Sequence, residues 1–370
     1  MRESDVVRRK GDHLRLAASD EHQSAMGAGW NDIQFVHDAL PAIDAEQIDL
    51  TTELFGHRLR LPLVIASMTG GHEMARRINA DLGRIAEASG VAMGVGSQRA
   101  ALEDPSLGGT FAAAREAAPG AMLIANVGIS QVVAQRDRQP LDAAALRRAI
   151  DMIEANALVV HLNYLEESVQ PEGQTIATGA LEAIARVVDS VDVPVILKET
   201  GAGISRDVAL RAREAGVSAI DVGGYGGTSF ASIEAARAAA VGDAVRTRLG
   251  ATYATWGIPT AVSVAGCAGI LPVIATGGVR TGLDAAAAIA MGATLVGVGR
   301  PLLQAVMNNA ESGSSWIAAF ERELRTAVFL TGGRRLDDLR RAPRVVEGRT
   351  LVWLRQLGYT PASDGTQVRD

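Results

Sequence analysis

The densest chemistry in this chain lies between residues 161 and 173, where His161-Leu162-Asn163-Tyr164-Leu165-Glu166-Glu167 runs on to Gln170-Pro171-Glu172-Gly173. Adjacent carboxylates suit a hard divalent cation such as Mg²⁺, which keeps waters and takes one or two protein oxygens plus a substrate phosphate. His161 is a candidate acid, base or ligand. A solvated loop of ordinary glutamates beside a satisfied core histidine has the same letters, so the stretch alone leaves both readings open.

Lysine is the second signal. Of 36 Lys and Arg residues only Lys10 and Lys198 are lysine. Arg does not replace Lys where a compact ammonium must approach one atom in a tight pocket. Lys198 ends the apolar run Val193-Pro194-Val195-Ile196-Leu197, and chance survival explains it poorly there. Lys10 stands in the cationic cluster Arg8-Arg9-Lys10-Gly11-Asp12-His13, which with Arg99 is a candidate anion clamp or a solvated terminus. Thr276-Gly277-Gly278-Val279 and Gly297-Val298-Gly299-Arg300 offer close-packed backbone N–H groups of the kind that hold a phosphate. Gly223-Gly224-Tyr225-Gly226-Gly227-Thr228 lacks the spacing and the acidic residue of a dinucleotide fingerprint.

These residues need elements to position them. Apolar runs begin at Leu63, Val91, Met122, Leu158, Val193, Ala219, Pro272 and Leu295, each continuous rather than alternating, as in parallel strands covered on both faces. Between them, apolar residues recur at helical spacing: Met74, Ile78, Leu82 and Ile85 before Gly90; Leu146, Ile150 and Ile153; Leu181, Ile184 and Val188. Ser205 is an expected helix N-cap. Eight strand–helix repeats over about 240 residues predict an α/β fold, a (β/α)8 barrel. A doubly wound sheet is the alternative, which eight unbroken repeats disfavour. In a barrel every motif above except the amino-terminal cluster falls at a strand's carboxyl end, where one rim gathers function. The expected division is 1–61 as an amino-terminal clamp segment ending in a strand pair (Ile48-Asp49-Leu50 with His57-Arg58-Leu59), 62–305 as the barrel, and 306–370 as carboxyl-terminal helices and a polar, frayed tail. Extra helix is expected within Tyr225–Leu271.

Composition bounds the function. A net charge of −6 argues against a nucleic-acid partner. The single Cys267 excludes an internal disulfide and a multi-thiolate zinc site. Without a leader or a run approaching the roughly 20 apolar residues that span a bilayer, the expectation is a cytoplasmic protein with no membrane partner.

Taken in order, the motifs resemble type 2 isopentenyl-diphosphate isomerase, the flavin-dependent family. The likeness runs from Arg9, Lys10 and His13 through Leu40-Pro41, Ser67-Met68-Thr69-Gly70-Gly71, Gly94-Val95-Gly96-Ser97-Gln98-Arg99, His161-Leu162-Asn163, Gln170-Pro171-Glu172-Gly173, Lys198-Glu199 and Gly226-Gly227-Thr228-Ser229 to Leu330-Thr331-Gly332. The resemblance implies a (β/α)8 homo-oligomer, tetramer or octamer, that interconverts isopentenyl and dimethylallyl diphosphate in isoprenoid biosynthesis. It implies reduced FMN and Mg²⁺, with NAD(P)H as reductant. It assigns FMN to Ala66, Ser67, Met68, Ser97, Asn126, Lys198 and Thr228, and the FMN phosphate to Gly277, Gly278, Gly299 and Arg300. It assigns the substrate to Arg9, Lys10, His13, Ser97, Gln98, Arg99 and Asn163 and the metal to Glu167; His161 and Glu166 are the catalytic candidates of this chain.

Moving the double bond needs one proton delivered and another removed, through a tertiary carbocation that requires dry surroundings. The family pattern has Gln where this chain has Glu166, and often Pro where it has Tyr164. Two adjacent carboxylates either bind metal more tightly, or one stays protonated by burial and donates a proton. Two alternatives follow: a family variant that acts on another prenyl diphosphate or binds without turnover, and an FMN-dependent oxidoreductase of the 2-hydroxy-acid-oxidase type. The second resembles this chain in barrel and phosphate site, but its His-Gly-x-Arg base motif is replaced here by Gly223-Gly224-Tyr225-Gly226.

Overall fold

A computed structural model describes residues 5–136 and 138–359, and the side chains of residues 11 onward within them. Eight parallel strands close into a barrel. They are β1 (Leu63–Ile65), β2 (Ala92–Gly94), β3 (Leu123–Gly128), β4 (Ala157–Leu162), β5 (Val195–Glu199), β6 (Ala219–Asp221), β7 (Val273–Thr276) and β8 (Leu295–Val298). Closure is made where β8 pairs with β1, Gly297 opposite Val64. The continuous apolar runs are explained by the two faces they must cover. Val64, Ala92, Ile124, Val159, Ile196, Ala219, Ile274 and Leu295 form one cluster with Leu54 and Leu59. Their neighbours Leu63, Met93, Leu123, Leu158, Val195, Ile220, Val273 and Val296 join the larger layer beneath the helices. Leu54 and Leu59 come from a hairpin, Thr52–Leu54 with His57–Leu59, packed against the strands' first residues like a plug.

The predicted helices are present with their signals. The helix Glu73–Ser89 starts at His72, whose Nδ1 accepts the Met74 N–H, and stops at Gly90. Ser205 caps Arg206–Glu214 through the Val208 N–H. The stretch after β6 holds three helices, Phe230–Ala240, Ala244–Thr252 and Thr260–Cys267. The long helix Ala310–Leu330 carries Phe320, Leu324 and Val328 inward, and Arg344–Val346 pairs antiparallel with Ile33–Phe35. No described helix is long and apolar enough to cross a membrane. The tail after residue 359 lies outside the described residues.

One local expectation is corrected. Ile48-Asp49-Leu50 does not pair with His57–Leu59; the Asp49 carboxylate accepts the Thr51 N–H and turns the chain, so pairing begins at Thr52. The apolar–polar–apolar alternation there reflects anchoring, since Ile48 and Leu50 are buried in the core. The backbone of the cationic amino-terminal cluster lies in the helix Asp5–Ala18 (α1), with Leu14 packed into the core.

The rim turn after β1 shows why its sequence is Thr69-Gly70-Gly71. A Cβ on Gly70 would lie 1.8 Å from the ring of fully buried Phe111. Such overpacking costs about 1–3 kcal/mol unless the core yields. Gly70→Ala is therefore expected to lower unfolding stability by about that amount, and a Gly70→Ala/Phe111→Leu double variant to lose less than the sum of the two single changes, as read by denaturant titration.

Candidate active site

Two adjoining cavities open at the carboxyl ends of the strands. The larger, about 430 Å³, is lined by Ala66, Ser67 and Met68 after β1, Lys198 on β5, Gly223, Gly224 and Thr228 after β6, Thr276, Gly277, Gly278 and Arg280 after β7, and Gly299 and Arg300 after β8. The smaller, about 130 Å³, is lined by Ser97, Arg99, Asn126, His161, Asn163, Glu166 and Glu167. His13, Ser67, Met68, Lys198, Thr200 and Phe230 border both.

The larger cavity fits a flavin nucleotide. At its β7–β8 end, buried Thr276 Oγ1 and Arg300 Nε have no hydrogen-bond partner, which leaves a hydroxyl and one guanidinium N–H to be satisfied by a ligand. Gly277 and Gly278 bring backbone close to that end; a Cβ on Gly277 would stand 2.4 Å from the Gly224 carbonyl. On the opposite wall, Lys198 Nζ reaches Asp221 Oδ2 at 3.0 Å and donates to the Glu199 carbonyl at 3.2 Å. Both acidic and basic partners are nearly out of solvent. The pair leaves room for one ammonium between two oxygens, which is why the planar, five-donor Arg fork does not serve there.

Beside it, Glu199 turns its carboxylate into the following loop. One oxygen accepts N–H groups from Gly201 at 2.6 Å, Ala202 at 2.5 Å and Gly203 at 3.3 Å. This shapes the Thr200–Gly201 wall of the cavity. Burial nevertheless dominates, pushing the Glu199 carboxyl up to about 7.

In the smaller cavity the carboxylates are organised by a short helix, Tyr164–Val169 (α2), that directly follows β4. Asn163 Nδ2 donates to Glu166 Oε2 at 3.2 Å and Glu167 Oε1 at 3.1 Å, while its Oδ1 is buried without a partner. Glu167 also accepts from Gln170 Nε2 at 2.5 Å and the Gln174 N–H at 2.7 Å. Those donors fix the orientation of the carboxylate, which keeps acceptor capacity for a hard cation. Burial raises the Glu166 carboxyl above the usual range, against the pull of His13 and with the push of Glu234 and Glu167. His161 Nδ1 meets Asn126 Oδ1 at 2.8 Å. Since Asn126 Nδ2 donates to the Val95 carbonyl, Oδ1 is the acceptor and the His161 Nδ1 carries a proton.

The sequence-predicted residues are thus largely brought together, with exceptions. Gln98 does not line either cavity: it is fully buried, donating to the Ala149 carbonyl at 2.7 Å and accepting the Asn126 N–H at 2.9 Å, so it braces β3 rather than meeting a diphosphate. Asn163 stands between two carboxylates. His13 is turned to Glu234, its Nε2 2.5 Å from Oε1. Arg300 pairs with Asp20, and Thr228 accepts from Gln23 Nε2 at 3.2 Å, because residues 18–24 cross the mouth of the barrel. Ser97 and Arg99 border the smaller cavity, Arg99 held by Glu103 and Gln174. The side chains of Arg9 and Lys10 lie outside the described residues. Asp221, Arg280, Glu234 and Arg237 were missed; only the last two had a signal, an i,i+3 acid–base pair alone in the Ala-rich stretch Ser232–Val241.

A phosphate-type rim on a closed parallel barrel defines a flavin mononucleotide enzyme class, and residues 8–163 and 130–346 match the family profile described as FMN-dependent dehydrogenase. The fold is shared with a mandelate oxidase variant carrying a monooxide FMN adduct (TM-score 0.60, 18% identity, 91% of this chain and 92% of that one) and a Pediococcus acidilactici lactate oxidase (0.60, 19%, 93% and 92%). Closer in sequence are proteins named isopentenyl-diphosphate delta-isomerase from Archaeoglobus fulgidus, 48% identical over 94% of this chain and 98% of the relative, and Methanothermobacter thermautotrophicus, 45% identical over 95% and 96%. The chain belongs to the type 2 isopentenyl-diphosphate isomerase family.

The Glu199 carboxyl yields a pH prediction. Its folded value of about 7 lies above the unfolded 4.5, so between these values the folded state holds the extra proton and stability falls as pH rises. Wild type is expected to lose up to about 3 kcal/mol over that window, and Glu199→Gln to flatten the decline in denaturant titrations at successive pH values.

Proposed function

We propose that this chain interconverts isopentenyl and dimethylallyl diphosphate at the rim, using bound FMN and Mg²⁺. The observation that carries the reading is the adjacency of the two cavities across Lys198, Ser67 and His13: one fits a flavin and the other holds a carboxylate pair beside Arg99. Reduced flavin, when bound, supplies the proton donor and acceptor beside the alkene.

The chain's own residues do the rest. Lys198, held by Asp221, fixes a positive charge at the wall between the cavities. Glu167 holds the metal in this reading, with Asn163, Gln170 and Gln174 keeping its carboxylate oriented. Arg99, with Arg9 and Lys10, neutralises the diphosphate oxygens that the metal leaves free. Met68, Leu14 and Phe230 line the cavity with apolar surface that keeps water from an electron-poor carbon. NAD(P)H is the reductant and a homo-oligomer the working form in the same reading. The oxidase alternative needs a base after β6, where the residues are Gly223, Gly224 and a buried Tyr225 whose backbone is paired with Ile258 and Thr260.

Glu166 is read as a neutral acid, for which Gln is an isostere. With FMN reduced, Glu166→Gln is expected to keep the isomerisation rate within about threefold at neutral pH. It should also remove a decline that wild type shows with rising pH as Glu166 ionises beside the diphosphate; a large loss at every pH means that Glu166 itself moves a proton. Glu167→Gln is expected to raise the Mg²⁺ concentration for half-maximal rate by about tenfold or more, measured by metal titration of the flavin-loaded enzyme.

A further inference from the structure

The helix Phe230–Ala240 (α3) carries a charged pair that the reaction above does not use. Glu234 has no exposed surface. A carboxylate so placed needs a partner on each oxygen, and it has two. Arg237 Nη1 meets Oε2 at 2.6 Å, and His13 Nε2 meets Oε1 at 2.5 Å. The first contact lies within α3 and alone would be ordinary helix stabilisation. The second is not local: 221 residues separate His13 from Glu234. Arg237, itself mostly buried, sends its other amino group to Glu172 at 3.4 Å, in the loop that follows the metal-carboxylate helix α2. The ring of Phe230, one turn earlier on α3, meets His13 edge-on with centroids 6.0 Å apart.

We propose that Arg237 is a positioning residue: through Glu234 it holds His13, and with it helix α1, over the mouth of the flavin cavity, and through Glu172 it ties that helix to the metal loop. The inference rests on the isomerase reading for its effect on substrate, and on geometry alone for the docking of α1. The consequence follows from the sequence of α1. Arg9 and Lys10 precede His13 by one turn, so the latch at His13 sets where these cations stand. Three segments of the proposed substrate site, α1, the metal loop and the wall of α3, are joined through the Glu234–Arg237 pair. Loss of Arg237 leaves that carboxylate without its larger partner, loosens α1 and separates it from the loop. Substrate capture suffers before the chemical step does.

The test uses flavin-loaded enzyme without substrate. Hydrogen exchange of residues 5–18 in Arg237→Gln is expected to be at least about tenfold faster than in wild type, with the barrel strands unchanged. In assays, KM for isopentenyl diphosphate should rise by about tenfold while kcat stays within about threefold. Arg237→Lys, which keeps the charge but cannot span both carboxylates, should fall between the two and decides the matter on the same readouts if Arg237→Gln does not fold. Arg246→Gln controls for general loosening, because Arg246 joins Asp243 to the Pro171 carbonyl of the same loop without touching Glu234; it should behave as wild type. Wild-type exchange of α1 in the Arg237 variants, or a fall in kcat at constant KM, overturns the proposal. Faster α1 exchange in an enzyme whose wild type never isomerises the substrate would leave the docking intact and remove the isomerase reading instead.

Discussion

Barrel closure is the constraint from which the site follows. When β8 pairs with β1, residues near 65 and 298 become neighbours, and the eight carboxyl ends can only face one common opening. Ser67, Lys198, Gly277 and Arg300 then border one cavity although they span most of the chain. The side chains inside the barrel are small and branched, and the hairpin at residues 52–59 fills its other end with Leu54 and Leu59. A solid interior makes the rim the place where ligands bind.

At the rim, charge is managed by pairing. Lys198 and Asp221 remove each other's cost of burial, and Glu167 is ringed by neutral donors. Glu166, one residue earlier, has fewer donors and more carboxylates around it, and its proton is held more tightly. Two adjacent glutamates thus have different surroundings, because one side chain points toward amide donors and the other toward Glu234 and His13, where burial raises its carboxyl.

The sequence made the barrel legible because parallel strands buried on both faces have no period to disguise them, and their ends carry the Gly-rich and charged groups. The place of Lys198 at the rim was legible for the same reason, since it is a cation that ends an apolar strand. Other features depended on long-range geometry. Gln98 sits within a rim motif, yet its side chain turns inward to brace Ala149 and Asn126, which no local pattern reveals. Ile48 and Leu50 alternate like a strand but are anchors on a turn made by Asp49. Glu234 is an ordinary helical glutamate until α1 is laid across it. Apolar periodicity reports which face is buried; it does not report which distant segment does the burying.

The central claim is that the paired cavities move a double bond by proton exchange beside reduced flavin. It is tested most directly by incubating the flavin-reduced, Mg²⁺-loaded enzyme with isopentenyl diphosphate in D₂O and following both isomers by NMR. The account predicts dimethylallyl diphosphate carrying solvent deuterium, and deuterium returning to recovered isopentenyl diphosphate. No deuterium in either compound, with flavin bound and reduced, would contradict it.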